Sequence, residues 1–153
     1  MYHKQKAVCG AYQKNELDNL TPVQIVARLY QALELSLKRG REAIIAGDPA
    51  TKGEQLGRAL AIIGELQAAL NLEEGGEIGG NLNNLYFYLT AEITKVNLAN
   101  DVLGLDNAIV TVKPLTEAWV ELAAGKVKVA SKSPSVGGRS VEAKQQVAFQ
   151  ATF

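Results

Sequence analysis

The sequence predicts an all-α fold, an antiparallel up-and-down four-helix bundle, on three observations. Apolar residues recur at three- and four-residue steps in four successive segments, the period of a helix face rather than of a strand. Short runs of Gly, Asp and Asn separate these segments, so consecutive helices pack as antiparallel neighbours. The chain has 153 residues, 47% of them hydrophobic, enough for one domain with its own core. No strand alternation and no useful internal repeat competes with this reading.

The first helix opens in "NLTPVQIVARLY". Thr21 is a good N-cap, and Pro22 suits the first helical position, where its missing N–H is not needed. The helix runs from Pro22 to about Ile45, with Val26, Leu29, Tyr30, Leu33, Leu37 and Ile44 on one stripe, and Gly47, Asp48 and Pro49 end it. A second segment begins near Thr51 and aligns Leu56, Leu60, Ile63, Leu66 and Leu70. Its Gly53, Gly57 and Gly64 lower helix propensity but permit a close neighbour. Gly75 and Gly76 then mark the expected turn, since glycine accepts a left-handed cap.

Glu77 is the expected start of the third helix, whose stripe is Ile78, Leu82, Leu85, Leu89, Ile93 and Val96. Gly79 and Gly80 fall in its first turn, where a partner can approach closely. The consecutive Tyr86, Phe87 and Tyr88 point about 100° apart on a helix, so they cannot all face one core. At least one is left for another surface, which makes this helix wide in apolar girth and suited to a partner segment. Asp101 is a plausible N-cap for the fourth helix, with Val102, Leu105, Ile109, Val112, Thr116 and Trp119 in near-heptad order. Pro114 lies inside it and predicts a kink or a break near Val110.

Residues 1–20 read as an N-terminal segment capping the bundle, 21–124 as the helical bundle, and 125–153 as a flexible basic tail. The tail holds Lys126, Lys128, Lys132, Arg139 and Lys144 against Glu142, a net +4, which leaves −4 on the rest of this neutral chain. An acidic body lacks the clustered positive face that phosphate contacts need, so a nucleic-acid partner is not expected. No run approaches the about 18 apolar residues of a membrane span, and the start lacks a secretory apolar region. A soluble, cytoplasmic protein without membrane insertion is expected.

Chemistry fails on inventory. Di-metal sites in bundles need inward Glu residues with Glu-x-x-His pairs, and the chain has one histidine, His3. Nucleophilic triads would need the same histidine. The lone Cys9 has no partner for a disulfide or a metal knuckle. "GGEIGG" lacks the preceding strand and the Lys-Ser/Thr ending of a phosphate loop. Neither a cofactor nor catalysis is expected, and surface remains as the functional material.

Four stretches carry a resemblance: "AYQKN", "LTPVQIVARLYQALELSLKRGREAI", "LNLEEGGEIGGNLNNLYFYLTAEITKVNLANDV" and "PLTEAWVEL". In order and spacing they resemble the flagellar secretion chaperone FliS family over roughly Ala11 to Leu122. The resemblance implies a cytoplasmic export chaperone that binds the disordered C-terminal segment of flagellin, prevents premature polymerisation and presents it to the flagellar type III export gate. It places client contacts at Tyr12, Ile25, Leu29, Ile78, Leu82, Leu85, Tyr86, Val102 and Leu105, with Tyr12 covering part of the empty groove. A monomer or weak homodimer is expected. The apolar tail sequence "VAFQATF" is a second candidate for occupying the protein's own groove. The competing class is a structural or regulatory bundle that self-associates through an exposed apolar face.

Overall fold

The computed structural model describes residues 19–125. The expectations for Tyr12 and the rest of the N-terminal segment, and for the tail beyond Gly125, lie outside the described residues. Four helices follow one another: α1 (Pro22–Ala46), α2 (Pro49–Ala69), α3 (Leu72–Ala99) and α4 (Val102–Ala123). Among the described residues there is no strand.

Local signals account for the helix starts. The Thr21 hydroxyl accepts from the Gln24 amide at 3.2 Å while the Thr21 amide donates to Gln24 Oε1 at 2.9 Å. This reciprocal box satisfies two backbone donors at the head of α1. Asp48 caps α2, accepting from the Thr51 amide at 3.1 Å and from its hydroxyl at 2.6 Å, and Pro49 takes the first helical turn. Asp101 caps α4 by accepting from the Gly104 amide at 3.0 Å.

The glycine pair and Pro114 are the two local irregularities. α2 ends at its cap Leu70, which is extended at φ −71°, ψ 132°, and whose amide tightens the last turn on the Gln67 carbonyl. Gln67 facing Asn83 centres the reversal on the glycine pair. The chain is helical again from Leu72 until Gly76, at φ 58°, ψ −138°, interrupts it, and the main run of α3 begins at Glu77 as expected. Glycine is needed at position 76 because a side chain would be strained at that positive φ. At Pro114 the break that the ring could have caused is absent, and α4 continues through it. Pro114 and Val110 both lie on the exposed side of α4, where water can take the carbonyl that the ring deprives of a donor.

Cross-helix pairs fix the layout. Gln67 Nε2 donates to Asn83 Oδ1 at 3.3 Å and Lys52 Nζ to the Asn97 carbonyl at 3.0 Å, so α2 and α3 run in opposite directions. Arg41 pairs with Asp106, while farther toward the start of α1 Tyr30 meets Thr116 and Trp119, which makes α1 and α4 antiparallel too. Each helix therefore flanks two others in a closed square, with α1 diagonal to α3. α1 and α2 pack tightly at Gly40, where an added Cβ would stand 2.7 Å from Leu56 Cδ2.

The core runs along the axis of this square. Tyr30, Leu33 and Leu37 meet Leu56, Ile63 and Leu66, then Tyr86, Leu89, Ile93 and Val96, then Leu105, Val112 and Trp119, all essentially without solvent contact. At its centre the Tyr30 and Tyr86 hydroxyls lie 2.7 Å apart across the diagonal, and the Trp119 ring stacks on Tyr30 at 6.1 Å and 19°. The two phenols thus satisfy one another within the core, as burial requires.

Candidate functional site

Among the described residues, no cluster of His, Cys, Asp or Glu could hold a metal ion. The titratable groups that the core buries are Tyr30 and Tyr86. Burial pushes the Tyr30 phenol up to about 12, partly offset by hydrogen bonds with Tyr86 and Trp119. Burial also raises Tyr86, with Tyr30 adding to the effect. Both are neutral at physiological pH and serve as core, not as acid or base. No described helix is long and apolar enough to cross a membrane.

What the molecule offers instead is apolar surface in two forms. The first is a set of half-buried side chains packed against the core at the helix seams: Leu29 on α1, Ile78 and Leu85 on α3, Leu115 and Leu122 on α4. The register of α3 and α4 follows from Gly104, whose Cβ position lies 2.9 Å from Glu92 Oε1 and 3.0 Å from Val96 Cγ2. Counting antiparallel from that crossing brings Leu85 near Val112 and Ile78 near Trp119. Leu115 and Leu122 continue the same half of α4, so the α3–α4 seam carries a continuous apolar run at the surface.

The sequence-predicted residues separate under this geometry. Ile78 and Leu85 lie along that seam, with Leu82 just beneath it and nearly buried. Ile25 is exposed and Leu29 half-buried at the start of α1. Val102 is half-buried at the opposite end, at the head of α4. Tyr86 and Leu105 are wholly buried and present no surface in this state; they support the seam from within. Tyr12 is outside the described residues. The eight described positions therefore do not converge on one patch.

The second form of apolar surface is outward, and sequence reasoning only half anticipated it. Phe87 is 62% exposed, Tyr88 is exposed beside it, and Leu98 is 84% exposed. Phe87, Ala91 and Leu98 repeat at four and seven residues, a stripe facing away from the core. A signal existed: Tyr86 stands four residues after Leu82 and three before Leu89, in phase with the core stripe, which leaves Phe87 and Tyr88 outward by elimination.

A family model described as "Flagellar protein FliS" matches residues 5–126. Among curated relatives, the flagellar secretion chaperone FliS of Vibrio cholerae is 35% identical over 116 residues, covering 73% of this chain and 85% of that protein. The chaperone of the same name in Salmonella typhimurium is 31% identical over 118 residues, 76% of this chain and 87% of that protein. FliSB of Pseudomonas aeruginosa is 32% identical over 104 residues, 68% of this chain and 82% of that protein.

Proposed function

The chain belongs to the FliS family of flagellar secretion chaperones, and from that premise we propose that it binds the C-terminal segment of flagellin in the cytoplasm and delivers it to the flagellar type III export apparatus. The observation that carries the reading is the apolar surface on α3 and α4, where Ile78, Leu85, Leu115 and Leu122 line a seam and Phe87, Tyr88 and Leu98 stand outward. A stable bundle with this much unpaired apolar surface suits a client that arrives unfolded and wraps the helices, since large apolar burial offsets the cost of ordering a disordered chain. Holding that segment also keeps it from joining a filament before export. Ile25 and Leu29, on the side of α1 that faces α2, give a second contact that the client reaches by wrapping the bundle, and Tyr12 covers part of the groove when no client is bound. The role is binding rather than catalysis.

Light scattering on a sizing column tests this directly. With a flagellin C-terminal segment from the same organism, a complex of one chaperone and one segment is expected. A bundle whose apolar face serves only self-association would keep its own oligomeric mass whatever segment is added, and that result would overturn the reading.

A further inference from the structure

Residues 127–153 lie beyond the stretch that the family model matches, and a pattern on α4 suits them. Leu103 and Val110, 76% and 70% exposed, are followed by the exposed Glu117 and Glu121. At 100° per residue these four fall within about 40° of one another on the outward face of α4. Lys113 lies beside this stripe and not on it. Neither glutamate makes an ion pair among the described residues. Read from the end of α4 backwards, the face is acidic first and apolar afterwards.

The chain beyond Gly125 carries the complementary order. Lys126, Lys128 and Lys132 come first, and Val147, Phe149 and Phe153 come last. Gly125, at φ 74°, takes the backbone off the helix axis where this segment leaves α4. We propose that residues 126–153 double back over the outward face of α4, setting the basic stretch against Glu117 and Glu121 and the stretch Val147–Phe153 against Val110 and Leu103. The reach fits. Val110 and Leu103 lie about 22 and 33 Å back along the helix at 1.5 Å per residue, and a coil from Gly125 to Val147 has a mean span of about 26 Å. Tethering supplies an effective concentration in the millimolar range, so a modest contact suffices. The outward apolar stripe on α3, through Phe87, Ala91 and Leu98, is the poorer match, because it holds no carboxylate for the basic stretch to meet. The docking is independent of the client reading: it needs no flagellin.

Paramagnetic broadening in the full-length protein tests it. A nitroxide is attached at Ala151→Cys in a Cys9→Ser background, and amide signals are compared with the reduced label. The signals of residues 103–114 on α4 are expected to lose most of their intensity. They recover in the E117K/E121K variant and at about 1 M salt, where the screening length falls to about 3 Å. Both glutamates are exposed, so the variant should keep its melting curve; if it does not fold, the salt arm decides alone. Absent or evenly spread broadening would overturn the proposal. So would broadening centred on Ile78 and Leu85, which would place the segment in the client seam. Broadening that appears between labelled and unlabelled chains in a mixture would show a second copy as the occupant and would also refute it.

Discussion

Tyr30 and Tyr86 illustrate how single residues specify this core. Two phenols from diagonal helices share one hydrogen bond at 2.7 Å, so each meets the polar demand of the other in a place water does not reach. Removing one hydroxyl leaves its partner short of a hydrogen bond, whereas removing both incurs that loss only once, with the Trp119 bond to Tyr30 lost besides. Tyr30→Phe and Tyr86→Phe are each expected to cost roughly 1–2 kcal/mol, and the double variant clearly less than their sum. Urea unfolding of the four proteins measures the coupling; strict additivity would show that the pair does not act as a unit. The raised phenol pKa values also set a pH dependence. The unfolded phenols ionise near 10, while folded Tyr30 holds its proton to about 12 and Tyr86 is raised as well. The native state then binds more protons than the unfolded state, so stability is full below about pH 10 and declines as pH rises toward 12. Comparing urea midpoints on either side of pH 10 checks this, and Tyr86→Phe should flatten the decline.

At the scale of helices, neighbouring surfaces decide what a glycine is worth. In α1, an alanine Cβ at Gly40 would press on Leu56 at 2.7 Å, and Leu56 is wholly buried and has little room to retreat. Gly57 in α2 has nothing within 4 Å of the same position. Gly40→Ala is therefore expected to destabilise by about 1–3 kcal/mol through overpacking, less the propensity gain, whereas Gly57→Ala should stabilise by up to about 1 kcal/mol. Thermal melts of both variants test the opposite signs.

The helices were legible in the sequence where local chemistry and periodicity agreed: Thr21 with Pro22, Asp48 with Pro49, and Asp101 each mark a start that the structure keeps. The glycine pair marks the non-helical point before the main run of α3, as its chemistry suggested, whereas the end of α2 in extended backbone at Leu70 carried no local signal of its own. Pro114 was read by its intrinsic cost. What periodicity leaves out is that the affected carbonyl faces solvent, where the cost is small. The client surface was less legible than the helices. Ile78, Leu82 and Leu85 share one stripe in sequence, yet burial divides them between seam and core, and that division depends on how near α4 lies.

For the molecule as a whole, division of labour explains the composition. The inward stripes of all four helices meet in one closed core, so stability does not depend on the apolar residues left at the α3–α4 seam and on the outward face of α3. Those residues raise the solvation cost of the free protein, and a client that covers them lowers it. On the proposed reading the surface is preformed and the partner disordered, so ordering on binding falls almost wholly on the client.

The most direct test of this account is calorimetric titration of the full-length protein with the C-terminal segment of flagellin at several temperatures, followed by circular dichroism of the mixture. The account predicts saturable one-to-one binding, a negative heat-capacity change from apolar burial, and more helix in the complex than in the separate components. A well-folded protein that gives no binding heat with that segment, or binds it with neither a heat-capacity change nor a gain of helix, would contradict it.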